Sequence, residues 1–249
     1  MILGDSYAFG EGVDIENIFA RRLEQLLHER YGGSFEVILR AYRGKSTAAE
    51  FEDFQHIGFR YAPDMVITAY VLNDPDPPVT FPYGHYGPDR SLVPHGTIDA
   101  MLLRHSNLYA LVSFKWNRFL ERVGAKESFN VWMHRIHDPK GFLWKLELAT
   151  LHRLHKKITQ IGAIPVLVVL PAMSSFDQYE FEAEHTQVVE SSRAIGFSTL
   201  DLLPSFRDLR IEEVLVSRAN GHPNTRGHEI IAQSILKFIL TYKMIPNLE

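Results

Sequence analysis

The chain has 249 residues, 45% hydrophobic and 22% charged, with a net charge of −4 and no cysteine. That length suits one α/β domain with a full core, so residues 1–249 read as a single domain. The composition excludes disulfides, thiolate metal sites and a cysteine nucleophile, gives no basic surplus for nucleic acid, and has no apolar run long enough to span a bilayer.

Met1-Ile2-Leu3 is a short apolar strand that ends in Gly4-Asp5-Ser6. A turn punctuated by Gly10 and Gly12 then leads into a helix. A serine at a strand-to-helix turn lies where open α/β sheets gather their ligands. Alone, the tripeptide reads better as a polar strand-end turn in which Asp5 or Ser6 caps a helix; its position after an apolar strand raises the functional reading. The first strand is very short for a central position, which points to a piece trimmed from a longer protein. As it stands the chain reads as cytoplasmic; with a lost leader it would be extracellular or periplasmic.

From Asp14 to Tyr31 the apolar residues fall at helical spacing, with Asp14 as cap and Gly32-Gly33 as stop. Phe35 to Ala41 alternates as a strand. In the turn after it, Gly44 lets a backbone N–H approach a ligand closely. A helix is expected from Thr47 to Tyr61, and a buried strand from Met65 to Val71 that ends at Leu72-Asn73-Asp74. Pro75 to Gly96 is an insertion rich in proline and glycine, expected either as a lid that contacts substrate or as a pinned surface loop.

Ile98 to Val123 has a helical pattern. Its aromatic middle, Tyr109, Phe114 and Trp116, fits core packing better than the lining of an acyl pocket. Ala125 to Gly141 has no readable pattern. A helix over Leu143 to Ile161 precedes a strand over Ile164 to Leu170. Phe176 to Ile195 reads as loop and helix, Phe197 to Leu203 holds the fifth strand, and Val214 to Val216 is a short edge element. Arg226 to Tyr242 is the closing helix. The alternation predicts a parallel sheet with helices on both faces.

Serine needs a base within hydrogen-bond reach and donors aimed at a developing oxyanion. Asn73, closing the third strand, offers an amide that either donates to an oxyanion or caps the loop. His222-Pro223-Asn224, followed by Gly227 and an apolar helix, presents an imidazole from a rigid loop. His228 has no suggested partner. His134 with His137, and His152 with His155, lack interspersed carboxylates and read as solvated surface histidines, not as a metal site. No feature supports membrane attachment or sets an oligomeric state.

Taken together, Gly4-Asp5-Ser6, Gly44, Asn73 and His222-Pro223-Asn224 resemble, in order and spacing, the four blocks of the SGNH/GDSL hydrolase family over nearly the whole chain. The resemblance implies a flavodoxin-like three-layer α/β/α fold with a central parallel sheet. It implies a serine esterase acting on a small-molecule, lipid or glycan ester through an acyl-serine intermediate. Ser6 would be the nucleophile and His222 the base. The backbone N–H groups of Ser6 and Gly44, with the Asn73 amide, would form the oxyanion hole. No metal or organic cofactor is implied. An acyltransferase on the same residues is a close variant.

One position departs from that pattern. The family usually has an aspartate two or three residues before the histidine; here those residues are Asn220 and Ala219. Three readings stay open. A Ser-His dyad could use a backbone carbonyl or another acid, such as Asp201, to orient His222. The chain could be a weakened natural or engineered variant. Or it could be a glycan- or lipid-binding domain that has given up hydrolysis.

Overall fold

Five strands build the sheet: β1 (Ile2–Gly4), β2 (Leu39–Ala41), β3 (Met65–Tyr70), β4 (Ile164–Val169) and β5 (Ser198–Asp201). All pair in parallel, in the order β2-β1-β3-β4-β5. The structure is a computed structural model and describes residues 1–33, 35–75, 97–125, 127–217 and 220–245. The expected insertion over 75–96 lies outside the described residues apart from Pro75.

The helices in chain order are α1 (Ser6–Phe9), α2 (Phe19–Tyr31), α3 (Thr47–His56), α4 (Thr97–His105), α5 (Asn107–Arg122), α6 (Phe129–Ile136), α7 (Phe142–Gln160) and α8 (Glu182–Ile195). After β5 come α9 (Leu203–Phe206), α10 (Ile211–Val214) and α11 (Thr225–Thr241). From β1 the chain steps one way to β2, then the other way through β3, β4 and β5. Right-handed crossovers therefore put α2 on the opposite face from α3, α7 and α8. The packing agrees: α2 lies against α11, α3 against α7, and α7 against α8. The result is the expected three-layer α/β/α sandwich. Ile2, Leu3, Val66 and Val166 to Leu170 sit in its core, none more than 1% exposed.

The α2–α11 seam contains a histidine with a structural task. Ile18, at the cap of α2, has no polar side chain to satisfy the first N–H groups. His228 on α11 does so instead, its Nδ1 accepting the Phe19 N–H at 3.2 Å while its ring stacks on Phe19. Burial, with help from nearby His222, lowers its pKa to about 4, so the ring is a neutral acceptor. The sequence assigned His228 no partner because that partner lies 209 residues away.

Other expectations change in extent. The second strand begins at Leu39, not Phe35. Before it, the Phe35 N–H donates to His28 and the Val37 N–H to Glu24, so this stretch hangs on α2. The expected helix over 98–123 is two helices, because Ser106 accepts the Tyr109 N–H and starts a new one. Its aromatic middle does not pack in the core: Phe114 and Trp116 are exposed. The unpatterned 125–141 stretch contains α6, capped by Ser128 and burying Trp132, Met133 and Ile136. His137 is buried there, not solvated, and its Nδ1 donates to the Met133 carbonyl at 2.9 Å. His134 is exposed and pairs with Glu184.

Candidate active site

The strand order reverses direction between β1 and β3, and ligands of open α/β sheets bind at the carboxyl ends of the strands at such a switch point. β1 delivers Ser6 there, β2 leads to Gly44, and β3 leads to Asn73. Gly4 makes the approach close: a Cβ on it would sit 2.5 Å from the Ala8 Cβ, so a side chain would push α1 off the strand. Asp5 caps α1 by accepting the Tyr7 N–H at 2.9 Å. Ser6 thus opens the helix in a fixed orientation.

The other half of the site comes from the far end of the chain. β6 (Leu215–Ser217) and β7 (Asn220–Pro223) form an antiparallel hairpin apart from the main sheet. The expected edge element over 214–216 therefore pairs with the histidine segment, and His222 lies on a strand where a loop was expected. Gly12, at φ +87°, lets this hairpin dock: a Cβ there would lie 2.9 Å from Val216 Cγ1 and 3.3 Å from Asn220 Nδ2. Tyr7 clamps it. Its hydroxyl donates to the Gly221 carbonyl at 3.0 Å and accepts the Met173 N–H at 3.3 Å. Its ring meets the His222 imidazole edge-on, with centroids 5.3 Å apart.

Ser6 Oγ lies 2.8 Å from His222 Nε2, and His222 Nδ1 lies 2.5 Å from Asn220 Oδ1. His222 is only 4% exposed and Ser6 7%. The backbone N–H of His222 donates to the same Oδ1 at 3.2 Å. That second bond sets which way round the amide sits. Turned over, it would aim an NH2 group at an N–H donor. With the oxygen inward, Nδ1 carries the ring proton, and the Nε2 lone pair is free to accept the Ser6 hydroxyl proton. Asp201 is not part of this arrangement: its Oδ1 lies 2.7 Å from His185 Nε2 and accepts the Leu203 N–H. The acid at the end of β5 is engaged by His185 of α8, while His222 Nδ1 is engaged by Asn220.

Asp5 ties the site together from beneath. Its Oδ2 lies 3.5 Å from Ser6 Oγ and accepts from the Asn73 amide at 3.4 Å. Burial pushes its pKa up to about 6, against the opposing bonds from Tyr7, Asn73 and Ser6. Gly44 has φ +69° and open space before it, as a turn that brings backbone N–H groups to a ligand requires. Two residues that sequence reasoning passed over also belong here. Tyr7 is one. Glu11 is the other, with Oε2 3.8 Å from His222 Nε2 and 3.2 Å from Arg43 Nε. Its place between Gly10 and Gly12, a few residues after Ser6, was the available signal. Among the described residues, no group of three or more acidic or histidine side chains is arranged to hold a metal.

More buried acids lie behind this site. Glu50 and Asp74 are both held well above the carboxylate range, first by burial and then by acidic neighbours: Asp5 and Glu147 act on both, and Glu50 also on Asp74. Burial raises Glu147 to about 7, with the nearby Thr47 side chain opposing, and its Oε1 has no partner among the described residues. A raised carboxyl pKa favours the folded state fully below the unfolded value, and that contribution is lost as pH rises through the folded one. For Glu147 the window runs from the model-peptide value of 4.5 to about 7. Glu147→Gln is therefore expected to raise Tm by about 5 °C at pH 8, with the gain shrinking towards pH 5. Thermal melts across that range test it; a gain independent of pH would assign the effect to packing.

No family model matches the sequence, and no curated protein matches it. Solved structures do resemble it. The psychrotrophic esterase EstA from Pseudoalteromonas sp. aligns over 97% of this chain and 96% of its own, at 13% identity and a TM-score of 0.51. A "lipolytic protein of G-D-S-L family" from Desulfitobacterium hafniense DCB-2 aligns over 95% and 97%, at 13% identity and a TM-score of 0.56. The acetylxylan esterase Axe2 from Geobacillus stearothermophilus, as a catalytic mutant, aligns over 96% and 92%, at 13% identity and a TM-score of 0.54.

Proposed function

We propose that this chain, which has the fold of the SGNH/GDSL hydrolases, is a serine esterase that hydrolyses a small carboxylic ester. The observation that carries the reading is the unbroken relay from Ser6 Oγ through the His222 ring to Asn220 Oδ1. His222 Nε2 takes the hydroxyl proton as Ser6 Oγ bonds to the ester carbonyl carbon. The tetrahedral oxyanion then meets the Ser6 and Gly44 backbone N–H groups and the Asn73 amide. On its collapse the alkoxy C–O bond breaks, and His222 returns the proton to the leaving alcohol. Water, activated by the same imidazole, releases the acid from the acyl-serine. With an alcohol in place of that water the same steps make an acyltransferase. The ester-cleaving neighbours of the same fold support the hydrolytic version.

Asn220 holds the ring in the productive tautomer but carries no charge to offset the imidazolium. The arrangement corresponds to the Cys-His-Asn variant of the triad logic, not to a broken triad. Labelling of Ser6 by a fluorophosphonate, located by peptide mass, tests the reading. The expected result is stoichiometric labelling that His222→Ala prevents. No labelling under conditions that modify a known serine esterase would favour a site that only binds. Asn73→Ala removes one oxyanion donor and is expected to lower kcat on a short-chain p-nitrophenyl ester about 100-fold with little change in KM. An equal loss in labelling rate and turnover would agree with that role.

A further inference from the structure

Helix α5 is amphipathic the wrong way round for a helix of a closed core. Ala110, Ser113 and Asn117, small or polar, lie on its half-buried side with Tyr109 and Leu120, and the Asn117 amide is bonded to the Ser113 carbonyl. The outward side carries Leu108, Val112, Trp116, Phe119 and Val123, spaced four, four, three and four apart as one stripe along the helix. Leu108 is 71% exposed, Trp116 58% and Phe119 51%. α4 packs beside α5 and turns Ile98 and Met101 outward, 78% and 64% exposed. A continuous apolar surface of this kind marks an interaction site.

The charges around it select the occupant. Lys115 and Arg122, seven residues apart, border the stripe on one side, and Arg104 lies on the outer face of α4; all three are exposed. Asp99 is half-buried and engaged, accepting from the Tyr109 hydroxyl at 2.7 Å. Among the described side chains the outer face of this helix pair therefore has cations and no carboxylate, on a chain whose net charge is −4. Two copies meeting stripe to stripe would bring cation against cation. A lipid surface with anionic headgroups would take both features: Leu, Trp and Phe below the headgroups, Lys and Arg among them. We propose that α4 and α5 dock the protein on anionic lipid bilayers as a peripheral, non-spanning attachment.

The tryptophans supply the test. Trp132 and Trp144 are buried, 4% and 3% exposed, so Trp116 is the one that a bilayer would newly cover. The full chain is titrated with unilamellar vesicles of phosphatidylcholine, with or without one-third phosphatidylglycerol, and read by sedimentation and tryptophan emission. The expected result is a blue shift on anionic vesicles, abolished in Trp116→Phe, with binding about 100-fold tighter than to phosphatidylcholine alone. Lys115→Glu with Arg122→Glu should remove that preference, and Leu108→Ser with Phe119→Ser should remove binding. All these side chains are exposed, so the fold is not at risk. Failure to sediment with anionic vesicles would overturn the proposal. So would binding without a change in Trp116 emission, or a lipid-free dimer that shifts that emission. No readout depends on ester hydrolysis, so the result is independent of the function proposed above.

Discussion

Ser6→Ala is expected to lower turnover of a short-chain p-nitrophenyl ester by at least about 10⁴-fold, and His222→Ala by a similar factor. The double variant should be no worse than either single one, because the two groups act as one unit: the hydroxyl is a nucleophile only while Nε2 takes its proton. Ser6 Oγ bonds that nitrogen at 2.8 Å and no other base so closely. The stability cost should be small. Alanine fits the first turn of α1, and Asp5 Oδ2 keeps the Asn73 amide as a donor. Steady-state kinetics with a thermal melt of each variant separates the two effects. If Ser6→Ala retained a tenth of the activity with an unchanged melt, ester cleavage would have to occur elsewhere on the molecule.

Much of the fold was legible because its signals are local. β3 and β4 are short β-branched runs between breakers, and the closing helix repeats its apolar residues every three or four positions. The site residues Ser6, Asn73 and His222 were legible for a related reason: each stands next to a strand end or helix start that pattern alone locates. What failed was set by contacts between distant segments. The first half of the second strand alternates properly, yet its N–H groups find His28 and Glu24 before they find a neighbouring strand. The aromatic residues of α5 have the spacing of a buried face, and spacing does not say which face meets the core. α6 is a different case. Phe129, Trp132, Met133 and Ile136 fall at i, i+3, i+4 and i+7 behind a capping serine, so the signal was present and was missed for its brevity.

Asn220 is the position where sequence and geometry pull apart, and substitution there has the second-largest expected effect. Asn220→Leu keeps the branched shape but removes the oxygen that accepts from both Nδ1 and the His222 N–H. The ring then loses its tautomer preference, and kcat should fall about 10³-fold. Asn220→Asp keeps both bonds and adds the missing charge. A hydrogen bond to a charged partner is worth about 1 to 2 kcal/mol more than a neutral one, so a gain of about 5- to 30-fold is expected. This is far below the ~10⁴ that separates Asp from Asn in the serine-protease triad, where the amide selects the wrong tautomer. Here the His222 backbone N–H has already turned the amide the right way. A gain near 10⁴ would mean that the amide of the working enzyme sits the other way round. No gain at all would mean that the imidazolium finds its counter-charge elsewhere, and Glu11, 3.8 Å from Nε2, is the carboxylate placed to provide it.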